Sequence, residues 1–159
     1  MTNPGATVEL IASTPLEWTW DVLTPIDPAR FYPRFGPLPA TIKVTHQSGP
    51  WNTIGQTRRL ELSDGGHVIE TITDVEPHSF FAYELTDFQK IFSRLVDHAR
   101  AEWTFTAVPE GTLVHWTYTF FARKRWGWLV ALIDRMYGSH QMRTMSATSQ
   151  PHRLRAKKV

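Results

Sequence analysis

Along residues 40–122 apolar and polar side chains alternate with a period of two, and from Trp126 the period changes to three and four. That switch constrains the fold more than any other feature of the chain. A period of two sends successive side chains to opposite faces of a strand. A period near 3.6 gathers Trp126, Leu129, Val130, Ile133, Met136, Tyr137, His140, Thr144 and Ala147 onto one face of a helix running from Trp126 to about Thr148. A face so apolar must be covered, and the only surface large enough is the sheet that residues 40–122 build. One helix clasped by one curved antiparallel sheet leaves a hollow between the two layers, and function is expected there.

Six strands are predicted within the alternating region: Thr41–Gln47, Gln56–Leu62, His67–Val75, Ser79–Thr86, Ala99–Val108 and Leu113–Ala122. Turn residues separate most of them, namely Ser48-Gly49-Pro50, Asp64-Gly65-Gly66, Glu76-Pro77 and Pro109-Glu110-Gly111. Connections this short imply antiparallel neighbours and a meander. A further strand, Val8–Ala12, precedes them. Thr14, Pro15 and Glu17 then read as a capping box opening a helix to about Leu23, and Asp27 with Pro28 begins another helical turn toward Tyr32. Segment 87–97 carries Phe88, Ile91, Phe92 and Leu95 at helix-like spacing, which fits a long loop, a helical turn or a lid. The fold class is therefore α+β: a curved seven-stranded antiparallel sheet, two short helices after the first strand and a long C-terminal helix.

Alternation also selects the inward side chains. Ala99, Ala101, Trp103, Phe105 and Ala107 form one inner set, Val114, Trp116, Tyr118 and Phe120 the next, and Phe81, Tyr83 and Leu85 a third. On the first strand of the meander the set is Ile42, Val44 and His46. Two registers are open for the hairpin at Asp64-Gly65-Gly66. A two-residue turn sets Glu61 against Glu70, a like-charge pair that costs stability. A three-residue turn sets Leu62 against Val68 and Leu60 against Glu70, with Arg58 diagonal to Glu70, and is preferred. It places Arg58 and Glu70 inside among Leu60, Leu62, Val68 and Ile72.

Composition narrows the function classes. A chain of 159 residues is expected to be a single domain, with a core at about 6–148 and a basic tail at 149–159. Aromatic residues make up 13%, seven of them Trp, which suits the wall of an apolar pocket as well as a core. There is no Cys, so disulfides and thiolate metal sites are excluded, in keeping with a reducing cytoplasm. No basic and apolar leader occupies the first seven residues, and no apolar run is long enough to span a bilayer. The His and carboxylate spacings match no metal motif, and no phosphate loop, dinucleotide fingerprint or nucleophile elbow occurs, so neither metal nor cofactor is expected. Net charge is +2. The basic surplus gathers late in the chain without any nucleic-acid-binding motif. Arg123, Lys124 and Arg125 beside Trp126 and Trp128 point to a weak contact with an anionic membrane.

The order of elements resembles the helix-grip arrangement of the START/Bet v 1-like (SRPBCC) superfamily. Local residues agree across about residues 6–148: Ser13-Thr14-Pro15 ahead of Trp18 and Trp20, Gly55 opening a strand, Ile72 and Val75-Glu76-Pro77 ahead of Phe81 and Tyr83, and Trp103 and Phe105 followed by Gly111-Thr112 and Val114. They are similar to bacterial polyketide-cyclase/dehydrase-like and coenzyme-Q-binding-like members. The resemblance implies an enclosed apolar ligand, with functions running from lipid carriage to aromatic-ring cyclisation. The leading expectation is a cytoplasmic monomer or homodimer that binds a lipid, quinone or polyketide-like aromatic. The alternatives are an aromatase/cyclase, with Glu70 or His46 moving protons, and a membrane-associated lipid carrier. The ligand-binding set expected is Arg58, Glu70, Tyr83, Trp103, Trp116, Tyr118, Ile133, Met136, Tyr137 and His140. An inward Arg58 and Glu70 must be paired or hydrated, because an unpaired buried charge is expensive.

Overall fold

The computed structural model describes residues 5–30, 39–123, 126–129 and 132. The chain forms β1 (Gly5–Ala12), α1 (Leu16–Leu23), a 3-10 turn (Pro28–Arg30), β2 (Thr41–Thr45), β3 (Thr57–Leu62), β4 (His67–Glu76), β5 (Phe80–Thr86), α2 (Phe92–Leu95), β6 (Val96–Val108) and β7 (Gly111–Ala122). All seven strands share one antiparallel sheet in the order β1-β7-β6-β5-β4-β3-β2. From β2 to β7 each strand lies beside its neighbour in the chain, as short connections require. β1 extends the sheet by pairing with β7.

The junction of β1, α1 and β7 is locked by small residues. Gly111 sits at φ +136°, and a Cβ there would collide with the Ala12 carbonyl oxygen, so only glycine lets β7 start this close to the end of β1. The expected capping box does not form. Pro15 occupies the cap position of α1 and no side chain caps it. The Thr14 hydroxyl is instead hydrogen-bonded to the Thr19 hydroxyl at 2.8 Å, and Thr112 Oγ1 donates to the Thr14 carbonyl at 2.8 Å. These three buried threonines find one another because a buried hydroxyl without a partner costs more than a cap returns. The next turn follows the sequence reading: the Ala29 amide donates to Asp27 Oδ1 at 3.0 Å.

Three strand expectations are corrected. In the β3–β4 hairpin Arg58 lies directly opposite Glu70 and Leu60 opposite Val68. The loop is a three-residue turn, but it is Ser63-Asp64-Gly65, one residue earlier than expected: Leu62 N donates to the Gly66 carbonyl, Asp64 Oδ1 accepts from Gly66 N, and Gly65 takes φ +78°. The register therefore slips by two residues from the expected one, which preserves every face. On β2 a register shift between Thr41 and Lys43 turns Thr41 inward and leaves Ile42 57% exposed. His46, past the end of β2 at φ +49°, is exposed too. On β6 the inner set holds as far as Phe105, but Ala107 is exposed at the strand's end.

The core lies on the face of the sheet that carries Phe81, Trp103 and Trp116. Trp20 of α1 meets Phe105 and Phe81 edge-on at 5.1 and 6.1 Å, and Trp103 stacks on Trp116 across β6 and β7 at 4.9 Å. Such offset and edge-on contacts add to the burial of the rings themselves. The opposite face carries charge. Arg100 bonds Asp74 and Glu102, each at 2.8 Å, and Thr73 at 3.0 Å. Segment 87–97 contains the single turn α2, whose Phe92 and Leu95 are buried, before β6 begins. Gly127–Leu129 and Leu132 are helical, and Leu129 packs on the core. The rest of the expected C-terminal helix, with Val130, Ile133, Met136, Tyr137, His140, Thr144 and Ala147, lies outside the described residues, as does the tail at 149–159. No described helix is long and apolar enough to cross a membrane.

Candidate functional site

The inner face of β3 and β4 holds the most unusual chemistry in the molecule. Arg58 and Glu70 are cross-strand partners and both are buried, with 3% and 1% of their surface exposed. Arg58 Nε donates to Glu70 Oε2 at 2.5 Å, and Nη1 donates to the Ile26 carbonyl at 3.2 Å. The guanidinium lies over the ring of Trp51, 4.0 Å from its centroid. Trp51, itself 1% exposed, is held in turn against Tyr83 at 6.3 Å. Arg58 is thus covered by a ring, a carboxylate and a carbonyl, a set that compensates a desolvated cation well.

Trp51 reaches this position through an unusual loop. It takes φ +65°, and the loop is tied by Gln56, whose Oε1 accepts from the Asn52 and Thr53 amides at 2.9 and 3.3 Å. A non-glycine residue at positive φ is strained unless its surroundings enforce it. The indole N–H of Trp51, like that of Trp116, is buried and has no hydrogen-bond partner among the described residues.

Beside the pair lies a pocket of about 60 Å³. Leu60, Val68 and Leu85 form its floor, Phe88 and Phe92 one side, and Tyr118 and Phe120 another. Phe88 and Phe92 stack on each other with centroids 6.0 Å apart, so segment 87–97 contributes a wall. Glu70 is the one charged residue in the lining among the described residues. Burial pushes its carboxyl above the ordinary carboxylate range, and the Arg58 charge and hydrogen bond pull the other way without cancelling that effect.

The structure brings together some of the residues expected in the site and separates others. Glu70 and Tyr118 line the pocket. Arg58 stands behind Glu70, and Tyr83 backs the Trp51 ring. Trp103 and Trp116 are buried and stacked within the core rather than along the pocket wall. His46 is solvent-exposed, its Nδ1 3.1 Å from Thr45 Oγ1, because the strand ends before it. Ile133, Met136, Tyr137 and His140 lie outside the described residues. At the proposed membrane corner Trp126 and Trp128 are exposed and Arg123 Nη2 lies 3.5 Å from Asp97 Oδ1, while Lys124 and Arg125 lie outside the described residues. Trp51 was missed: it sits in a loop with no periodicity, and its only trace in the sequence is a large ring among polar and turn residues.

Comparison with known proteins follows the same lines. The family model described as polyketide cyclase/dehydrase and lipid transport matches residues 6–147. No curated protein matches the chain. Among solved structures, protein CV1439 from Chromobacterium violaceum is similar with a TM-score of 0.66 at 14% identity, over 92% of this chain and 97% of that one. Ara h 8.0201 is similar with a TM-score of 0.64 at 12% identity, over 93% and 98%. DynU16, a protein in the dynemicin biosynthetic locus, is similar with a TM-score of 0.56 at 20% identity, over 94% of this chain but 49% of that one. At these identities the likeness is one of fold.

Proposed function

The chain belongs to the polyketide cyclase/dehydrase and lipid transport family, and from that premise we propose that it binds one hydrophobic small molecule, a lipid, quinone or polyketide-like aromatic, against the concave face of the sheet. The observation that carries this reading is the pocket itself. Its wall is mostly aliphatic and aromatic, and the Glu70 carboxyl, the Thr41 hydroxyl and the Tyr118 phenol interrupt it. Apolar walls supply affinity in such a site, while a few placed polar groups set orientation. The expected C-terminal helix would complete the enclosure, with Ile133, Met136 and Tyr137 toward the ligand. Titration with lipids, quinones and aromatic polyketides, read by Trp fluorescence and melting temperature, tests the proposal. Saturable binding of at least one class is expected, and no response to any class refutes it.

A second reading, aromatase/cyclase activity on a poly-β-ketone chain, is favoured by the desolvated Glu70. A carboxyl whose proton is held more tightly than usual is better matched to proton transfer near neutral pH than a solvated one. Turnover of a reactive polyketide mimic that is lost in Glu70→Gln supports this reading. Turnover unchanged in that variant removes Glu70 from it.

A further inference from the structure

We infer that the protein docks on an anionic membrane through the corner where α2 meets the end of β7, with α2 supplying half of the contact. This goes beyond the binding reading above, because docking at that corner needs no ligand in the pocket.

In the sequence only the stretch from Arg123 to Trp128 suggests such a contact, and the fold brings a second stretch to it. The Arg123 amide donates to the Leu95 carbonyl at 2.9 Å, and Val96 pairs with Ala122, so the last residue of α2 adjoins the end of β7. α2 is a single turn with two sides. Phe92 and Leu95 are buried, and Phe92 stacks on Phe88 in the pocket wall. Lys90, Ile91 and Arg94 are exposed. Ile91 shows 62% of its surface, and across the junction Trp126, Trp128 and Leu132 show 42%, 69% and 51%. One exposed apolar side chain is ordinary, whereas four large ones at one corner mark a contact surface. The charges decide what covers it. Arg94 and Arg123 stand on the two sides of the junction, and Lys90 precedes Ile91. The acidic groups nearby, among the described residues, are Asp97, which lies 3.5 Å from Arg123, Asp87, which is held by His67 at 2.8 Å, and Asp64 in the hairpin turn. A second copy meeting this patch about a two-fold axis would set the same cations against themselves. A bilayer with anionic headgroups suits both components, since indoles and aliphatic side chains enter its interface while guanidinium groups meet its phosphates. The other exposed apolar pair on a helix, Trp18 and Val22 of α1, lies at the opposite end of β7, where Thr19 bonds Thr112, and its exposed neighbours Glu17 and Asp21 are acidic. That end is unsuited to the same surface.

Co-sedimentation with vesicles tests the inference. Wild-type protein is expected to bind vesicles of equimolar phosphatidylglycerol and phosphatidylcholine, to be released as salt rises, and to bind phosphatidylcholine alone about tenfold or more weakly. Arg94→Ser should weaken binding to the anionic vesicles roughly fivefold, the worth of one cation at such a surface. Ile91→Ser and Trp128→Ser should each weaken it about tenfold, through lost apolar burial. All three positions are exposed, and circular dichroism with melting temperature verifies that the variants fold. Trp18→Ser, at the far end of the sheet, should leave vesicle binding unchanged. So should Val68→Phe, which fills the pocket and not the corner. Equal binding to both vesicle types overturns the inference and needs no variant. Binding that survives both Ile91→Ser and Arg94→Ser overturns the part given to α2. Binding abolished by Val68→Phe in a folded protein shows lipid captured by the pocket rather than docking, which overturns the inference and leaves the pocket reading standing. Self-association that Trp128→Ser dissolves, without vesicle binding, makes the corner an interface between copies and overturns it too. Failure of every pocket ligand in the titration panel sinks the binding reading alone.

Discussion

The guanidinium of Arg58 lies 4.0 Å from the centroid of the Trp51 ring, and that stack joins a loop residue with no regular secondary structure to the charged centre of the sheet. Trp51 is buried against Tyr83 as well, so its removal opens a cavity and uncovers a desolvated cation at once. Trp51→Ala is expected to cost roughly 3–5 kcal/mol, the usual range for deleting a buried aromatic side chain. Trp51→Phe keeps a ring beneath Arg58 and should cost clearly less. Urea unfolding of both variants separates the two effects. Equal losses would show that the stack contributes nothing beyond volume.

Stability should respond to pH in opposite senses at two carboxyls. Glu70 has its pKa raised by burial, so its contribution is present below the unfolded carboxyl pKa of about 4.3 and is lost as pH rises through the folded value. Asp74 has its pKa lowered by the hydrogen bond from Arg100, then by Thr73, so its contribution is present above about 3.9 and is lost as pH falls through the folded value. Glu70→Gln should therefore flatten the decline in the urea midpoint on the alkaline side of pH 4. Asp74→Asn should flatten the decline on the acid side. Asp74 is well exposed, so its effect is the smaller of the two.

Gly111→Ala is expected to destabilise the protein by roughly 2 kcal/mol or more. The position combines φ +136° with backbone of Ala12 and Ser13 in the space a Cβ would take. Gly55 also has positive φ, at +86°, but open space lies around it, so Gly55→Ala isolates the conformational penalty from the steric one. Thermal unfolding of the pair should place Gly111→Ala well below Gly55→Ala. Equal melting temperatures would exclude the collision with Ala12.

Filling the pocket should abolish binding without unfolding the sheet. Val68, opposite Leu60 on its floor, is the natural position. Val68→Phe is expected to weaken whichever ligand class of the titration panel binds the wild type by about tenfold or more while costing no more than roughly 1–3 kcal/mol of stability, the range for overpacking. Far-ultraviolet circular dichroism and Trp-fluorescence titration of the same sample check both halves. Unchanged affinity would locate the ligand elsewhere.

Much of the sheet follows from local physics alone. A strand's side chains alternate whatever it pairs with, so alternation identified six meander strands to within a few residues and sent Trp103, Phe105, Phe81, Tyr83, Arg58 and Glu70 inward. Turn residues supplied the antiparallel order. What the sequence could not set was anything that depends on a partner distant along the chain. Thr14 looks like a cap until Thr19 and Thr112 compete for it. Ile42 looks buried until a register shift turns the strand. Arg58 and Glu70 become a pair only when the position of the hairpin turn sets them opposite each other, and Trp51 joins them only because a loop without periodicity folds over the guanidinium. Face is a property of one strand, whereas pairing and enclosure are properties of several. The sequence therefore determined which side of the sheet carries the chemistry, and only the tertiary structure decided which groups meet there.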